Sequence, residues 1–200
     1  MGLPKTIKRH TPEEYYRLER DAPVKNDYFK GEIFAMAGGS RRHSLITMNI
    51  NGELRTLLKG SRCVPYESNL RLKVEATGLR TYPDASVYCG QMVKDEEDTA
   101  GETFTNPTVI FEVLSRSTEP YDRGAKCESY LKIDSLQMFV LVSQDSPRCE
   151  FFQRQADGSW QNHELHGLDA VLEIPSIGVQ LPLGEIYDRV DFAGPLADER

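Results

Sequence analysis

The sequence has few of the residues that usually cross-link a small protein or bind a structural metal. It contains four cysteines among 200 residues, and no two of them form a CxxC pair. Cysteines scattered in this way favour reduced, partly buried thiols over a disulfide framework or a zinc site. We therefore predict that no structural metal is held by the thiolates of Cys63, Cys89, Cys127 and Cys149.

The sequence also lacks a long apolar run and an excess of positive charge. No apolar run is long enough to span a bilayer, and the N-terminal MGLPKTIKRH lacks the apolar segment of a secretory signal. We therefore expect a cytoplasmic protein with no membrane partner. Its 24 Lys and Arg are outnumbered by 31 Asp and Glu, which gives a net charge of -7. This balance argues against tight nucleic-acid binding driven by charge alone, and it leaves weaker or metal-assisted binding open.

What is present fits one globular domain over residues 1–200, because 39% of the residues are hydrophobic and 28% are charged. Thr11, Pro12 and Glu14 form a capping box that predicts a short helix. The stretch YFKGEIFAMAG predicts a hairpin around Gly31. The stretch SRRHSLITMNINGELRTLLKG predicts the main packing helix, with an apolar stripe of Leu45, Ile46, Met48, Asn49, Leu54, Leu57 and Leu58.

The middle and end of the chain predict mainly strands. The alternation of apolar and polar residues in NLRLKVE indicates a strand with one solvent-exposed face. The runs YPDASVYC and PTVIFEVLS are typical of central strands. Between them, QMVKDEEDTAGETFTN predicts a mobile exposed loop. STEPYDRGAKCESYLKI predicts a capped helix, and QMFVLVS with CEFFQRQ predicts a hairpin. A short strand, an edge extension and a helical turn should follow, with a frayed end beyond Ala193.

Two acidic residues interrupt the predicted central strands. Asp84 opens the apolar run in TYPDASVYCG, and Glu112 lies inside TVIFEVLS. Burying an ionised carboxylate without a partner costs several kcal/mol, so such a group pairs, binds a cation or takes up a proton. Two carboxylates on neighbouring strands indicate a cation, and oxygen ligands of this kind suit Mg²⁺ or Mn²⁺.

A lysine follows on the next predicted helix. Lys126 stands 14 positions after Glu112. Its ammonium group could orient an attacking water or stabilise charge that develops on a phosphate. Asp122 precedes it by one helical turn, and a surface pair at this spacing would contribute only about 0.2–0.5 kcal/mol.

Several blocks together resemble the Uma-two family of bacterial endonucleases, a branch of the PD-(D/E)XK nuclease superfamily. These blocks are Pro83-Asp84, FEVLS, STEPYDRGAKCESYLKI, FVLVSQD and the upstream NDYFKGEIFAMAGGSRRHSLITMNI, and they span about residues 11–152. The resemblance implies an α/β restriction-endonuclease-like core, a mixed β-sheet flanked by helices, here with an additional N-terminal hairpin and C-terminal strands. It also implies hydrolysis of DNA with Mg²⁺ or Mn²⁺, and nucleases of this fold often act as homodimers.

The resemblance assigns roles to five residues. Asp84 and Glu112 match the two acids of the motif and would bind the metal. The lysine expected two residues after the second acid is replaced by Leu114, and Lys126 would substitute for it. Two further residues match the family pattern: Glu32 could complete the carboxylate cluster, and His43 could bind phosphate or assist proton transfer.

Simpler structural interpretations remain open for each residue. Asp84 could be a turn residue after Pro83, and Glu112 could pair with Lys126 without any metal. Glu32, His43 and Lys126 could be ordinary surface residues, and Asp122 could be an N-terminal helix acid favoured by the helix dipole. Scattered basic residues could line an edge that contacts phosphate, although such residues usually belong to the ordinary surface: Arg41, Arg42, Arg71, Lys73 and Arg80. His163 and His166 could share a helix face, but they lack a third zinc ligand. At the level of function, the alternatives are a catalytically silent nucleic-acid-binding or assembly module and a hydrolase of small phosphate esters.

Overall fold

The computed structural model describes residues 8–36, 38–115 and 117–193. The predicted frayed end beyond Ala193 lies outside the described residues. Three sheets occur in the described part of the chain: a six-stranded sheet, a five-stranded sheet and a two-stranded ribbon. No helix in these described ranges is long and apolar enough to cross a membrane.

The N-terminal region forms a helix and a hairpin, as predicted. Helix α1 (Pro12–Arg20) begins with a complete capping box between Thr11 and Glu14. Strands β1 (Asn26–Phe29) and β2 (Glu32–Ala35) pair antiparallel. The turn between them places Lys30 and Gly31 at positive φ, of 50° and 88°. Two consecutive positive φ values are the signature of the tight turn whose twist matches a β-hairpin.

Helix α2 (Arg41–Leu57) is the main packing helix, and Ser40 caps it. The predicted apolar stripe is partly wrong. Ile46, Ile50 and Leu54 are buried, whereas Met48 is 68% exposed and Leu57 is 44% exposed. The reason is that residues four apart lie on one helix face, so the stripe that contacts the sheet follows positions 46, 50 and 54.

The remaining strands build the sheets. They are β3 (Cys63–Glu67), β4 (Arg71–Val74), β5 (Leu79–Thr81), β6 (Ala85–Cys89), β7 (Thr103–Phe104), β8 (Val109–Val113), β9 (Met138–Val142), β10 (Arg148–Arg154), β11 (Trp160–His166), β12 (Val171–Ile174) and β13 (Val179–Pro182). The six-stranded sheet has the order β11-β10-β9-β8-β6-β3, and the five-stranded sheet has the order β2-β1-β5-β4-β7. Strands β8 and β9 are parallel, while β6 and β8 are antiparallel, so the six-stranded sheet is mixed.

The two faces of β8 contribute to different cores. Val109, Phe111 and Val113 pack with the apolar face of α2 and with the C-terminal ribbon and helix α5 (Leu183–Ile186). Ile110 and Leu114 pack on the other face. Glu112 belongs to this second face because side chains alternate along a strand.

A helical segment covers the second face of β8. It consists of α3 (Glu119–Tyr121), one π-helical turn (Asp122–Lys126) and α4 (Cys127–Tyr130). The predicted helix is confirmed, and Cys127 and Tyr130 are buried as expected. The side chain of Thr118 makes no capping bond to this helix. Ser115 Oγ instead accepts the N–H of Thr118.

The acidic segment between β6 and β8 differs from the exposed loop that was predicted. Asp95 and Asp98 are only 4% and 5% exposed. Lys73 Nζ lies 2.6 Å from Asp95, and Arg71 Nη1 lies 3.2 Å from Asp98. The segment is therefore held against the five-stranded sheet by ion pairs, and these basic residues are occupied by protein carboxylates.

Two further predictions are corrected. Cys63 and Cys89 form a disulfide instead of remaining reduced. They lie directly opposite each other in the antiparallel pair β3–β6. His163 and His166 lie on strand β11, not on a helix, so an odd spacing of three places them on opposite faces.

Candidate active site

Asp84 and Glu112 project into the same cavity. The β6–β8 register pairs Ala85 with Phe111, so its extension by one residue places Asp84 opposite Glu112. Residues that lie opposite each other on neighbouring strands project from the same face of a sheet. Both acids line a cavity of about 690 Å³, together with His43 and Lys126.

Asp84 is fixed by hydrogen bonds at both carboxylate oxygens. Its Oδ1 lies 3.0 Å from His43 Nε2, and its Oδ2 accepts the N–H of Val113 at 2.7 Å. His43 is in the first turn of α2, where its backbone N–H is capped by Ser40 Oγ. Ser40 Oγ also donates to Gln144 at 2.6 Å, which connects the helix start to the segment after β9.

Glu112 is buried and makes contact with two donors. Its Oε1 lies 2.9 Å from Lys126 Nζ and accepts a hydrogen bond of 2.6 Å from the Tyr130 hydroxyl. Burial raises the pKa of Glu112 to about 8, the charges of Asp84 and Asp122 add to this, and Lys126 opposes it. Burial therefore favours the neutral form of this carboxyl, and the positive charge of Lys126 favours the ionised form.

Lys126 is buried between acidic residues, so the interpretation of it as a solvated helix lysine is wrong. Its Nζ lies 3.4 Å from Asp122 Oδ1 in addition to its contact with Glu112. Burial alone would lower the pKa of Lys126, but the neighbouring acidic charges raise it well above the ordinary value. The pair of Asp122 and Lys126 was predicted at the surface, and this is also wrong because both side chains are buried within the π-helical turn.

The structure does not bring Glu32 to this cavity. Glu32 is half-buried on β2 and is not among the lining residues. The hairpin instead contributes Asp27 from β1, which is 5% exposed and lines the cavity. Sequence reasoning missed Asp27, because the predicted hairpin began at Tyr28 and no apolar run surrounds Asp27 as one surrounds Glu112.

The residues that line the cavity fit a divalent cation. Four carboxylates line it, from Asp27, Asp84, Glu112 and Asp122, and an oxygen-rich set of this kind is preferred by Mg²⁺ and Mn²⁺. Within the described ranges, no three or more His, Cys, Asp or Glu side chains form a group that could hold a metal by themselves. Asp84 and Glu112 therefore fit a site of the Mg²⁺ type, in which water and phosphate oxygens supply the other ligands.

The fold and the site together define a class of protein. A mixed sheet flanked by helices, with two acids at neighbouring strand positions and a lysine beside them, is the restriction-endonuclease-like arrangement expected from the sequence. The chain belongs to the Uma2 family, since the model of that family, described as "Putative restriction endonuclease", matches residues 12–184. The resemblance seen in the sequence is thereby confirmed.

Similar proteins cover most of the chain. The protein slr1290 of Synechocystis sp., described as uncharacterized, is 36% identical over 182 residues, which cover 91% of this chain and 93% of that protein. The protein sll1609 of the same organism, described in the same way, is 32% identical over 168 residues, covering 84% and 94%. A crystal structure from Anabaena variabilis, described as "a putative nuclease belonging to DUF820", superposes with a TM-score of 0.72 at 20% identity, covering 89% and 97%. This likeness confirms the predicted fold.

Proposed function

We propose that this chain is a divalent-metal-dependent endonuclease that hydrolyses phosphodiester bonds of DNA. The description of its family supports a nuclease-like function, and so does the description of the Anabaena variabilis protein. The observation that carries the proposal is the convergence of Asp84 and Glu112 from neighbouring strands on one cavity beside Lys126.

Each residue has a distinct part in this proposal. Asp84 and Glu112 would hold Mg²⁺ or Mn²⁺, which when bound polarises the phosphate and lowers the pKa of a water. The ammonium group of Lys126 would stabilise the charge that develops on the phosphate, and its burial strengthens that interaction. His43 contacts Asp84 and would bind a phosphate of the substrate.

A catalytically silent nucleic-acid-binding or assembly module is the second candidate. It is favoured by the contact of 2.9 Å between Lys126 and Glu112, because this ion pair partly neutralises the acid without a cation. Leu114 at the usual position of the motif lysine, and the net charge of -7, point in the same direction.

The test uses supercoiled plasmid with Mg²⁺ or Mn²⁺. We expect cleavage by the wild-type protein, loss of cleavage with EDTA, and a decrease of at least about 100-fold in Asp84→Asn, since one of the two metal-holding acids is then neutral. Glu32→Gln is the matched control, because Glu32 is a half-buried acid outside the cavity. Titration calorimetry with Mn²⁺ should show a weaker affinity in Asp84→Asn and an unchanged affinity in Glu32→Gln.

Other outcomes would select the other candidates. Intact plasmid under every metal condition, with DNA still bound, would favour the silent module. Cleavage of a small phosphodiester without cleavage of DNA would favour a hydrolase of small esters. Because cutting both strands of a duplex is simplest with two sites, we further propose a homodimer, which light scattering of the purified protein would test.

A further inference from the structure

Asp27 is a buried carboxylate that the proposed metal site does not use. It lies in the middle of β1, and its neighbour Tyr28 points to the opposite face to pack against Tyr15. Asp27 lines the cavity together with Tyr121 and Lys126 from the helical segment. Burial raises the pKa of Asp27, although the positive charge of Lys126 lowers it.

One oxygen of Asp27 makes no hydrogen bond of normal geometry. The hydroxyls of Thr81 and Tyr121 lie close enough to Asp27 to act as weak hydrogen-bond donors, and this contact lowers the pKa of Asp27. However, among the described residues, Asp27 Oδ1, Thr81 Oγ1 and the Tyr121 hydroxyl all lack a hydrogen-bond partner at normal geometry despite being buried. Three buried oxygens that lie close together without a well-formed hydrogen bond are costly, because each group loses hydration that its neighbours replace only in part. Together these oxygens form a polar site that can bind a small hydrogen-bond donor such as a water molecule.

The other carboxylates of the cavity have protein partners, and two of them, Asp84 and Glu112, are the proposed metal ligands. Asp84 has contacts at both oxygens. Asp122 accepts from Thr118 Oγ1 at 2.5 Å through one oxygen and lies 3.4 Å from Lys126 Nζ through the other. Glu112 receives two donors at its Oε1. Asp27 Oδ1 is therefore a cavity oxygen outside the proposed metal ligands that can accept a new donor.

We propose that Asp27 is the general base that positions and deprotonates the attacking water, an inference that rests on the proposed nuclease function. In this step the water oxygen forms a bond to phosphorus while one water proton passes to Asp27 Oδ1. The bond between phosphorus and the leaving sugar oxygen breaks, and that oxygen keeps the electron pair and takes a proton from solvent. The products are a phosphate monoester end and a hydroxyl end, and Asp27 returns its proton to solvent.

This role differs from that of a metal ligand in a measurable way. A ligand contributes to metal affinity, whereas a base contributes to the rate of the chemical step, typically by about 100-fold to 10,000-fold. Asp27→Asn keeps the size and most of the hydrogen bonding of the side chain but cannot take up a proton. Asp27→Ser, which is smaller, provides a second base-free variant in case the first one folds poorly.

The test combines plasmid cleavage, Mn²⁺ calorimetry and thermal melting for wild type, both Asp27 variants and Glu32→Gln. We expect Mn²⁺ affinity within about twofold of wild type and melting that remains cooperative, with cleavage lowered at least about 100-fold in the Asp27 variants. Glu32→Gln, which alters the other acid of the same hairpin, should cleave normally.

Three results would overturn the inference. Cleavage by a folded Asp27 variant within about threefold of an active wild type would remove the base role while leaving the nuclease function intact. A Mn²⁺ affinity that falls in parallel with cleavage would make Asp27 a ligand instead. Absence of cleavage by the wild type with every metal would overturn the proposed function and this inference with it.

Discussion

At the scale of single residues, Glu112 is the position where burial and charge act most strongly. It is 3% exposed, and it lies near Asp84, Asp122 and Lys126. A strand of five buried residues would be more stable with an apolar side chain at this position, since ion pairs in a protein interior rarely repay their desolvation. The cost is consistent with a site selected for chemistry more than for stability.

The raised pKa of Glu112 predicts a pH dependence of stability in metal-free protein. Because its pKa rises from 4.5 to about 8 on folding, the folded state binds the proton more tightly than the unfolded state over this range. The stabilisation is complete below about pH 4.5 and is lost as the pH rises through about 8. The wild type should therefore lose stability relative to Glu112→Gln as the pH rises. We expect the difference between their free energies of unfolding to change by a few kcal/mol, in order of magnitude, between pH 5 and roughly 8.5.

Urea denaturation in EDTA at a series of pH values measures this difference. Glu32→Gln provides the control, because it changes an acid outside the cavity and should follow the wild-type curve. Parallel pH curves for wild type and Glu112→Gln would show that the fold does not shift the pKa of this carboxyl.

At the scale of elements, the start of α2 connects helix formation to the site. Ser40 caps the helix, and the same hydroxyl donates to Gln144. His43 follows in the first turn and contacts Asp84. The position of the histidine therefore depends on where the helix begins.

Ser40→Ala should weaken both stability and the site. Loss of an N-cap typically costs about 0.5–2 kcal/mol, and here the bond to Gln144 is lost as well. We expect unfolding at a lower urea concentration and plasmid cleavage that decreases further than the unfolded fraction explains. Ser44→Ala on the same helix is the control, because Ser44 is exposed and should change neither quantity appreciably. Equal behaviour of the two variants would contradict the role of the cap.

At the scale of the whole molecule, the features that the sequence did not predict depend on contacts between residues that are far apart in the chain. The runs around Asp84 and Glu112 predicted β6 and β8 because buried strands have a local apolar pattern. No local pattern shows that the acidic segment packs on Arg71 and Lys73, because Arg71 is 27 residues from Asp98 and Lys73 is 22 residues from Asp95. The resemblance likewise pointed to Glu32 of the hairpin, whereas Asp27 lines the cavity.

The disulfide is another contact that local patterns do not reveal. Cys63 and Cys89 become neighbours only through the register of β3 and β6, at a sequence separation of 26. Closing a loop of this length should stabilise the fold by about 3 kcal/mol. Cys63→Ser should therefore unfold at a clearly lower urea concentration than the oxidised wild type.

Treatment with a reductant gives the control for this variant. Dithiothreitol should lower the stability of the wild type towards that of Cys63→Ser and leave the variant itself unchanged. Thiol titration of the denatured wild type without reductant should count only Cys127 and Cys149. A count of four thiols would show that the two opposed cysteines stay reduced in solution.

The π-helical turn at Asp122–Lys126 has a consequence for how such chains diverge. A turn of this kind accommodates one residue more than an α-helical turn. Deleting one residue there would restore a regular helix and would rotate the preceding helix α3 by about 100° relative to α4. The lysine would then lose its acidic neighbour on the helix, while the apolar contacts of Cys127 and Tyr130 with the sheet could persist. A relative could thus gain or lose activity through a one-residue change in the length of this helical segment, with no substitution of the acidic residues.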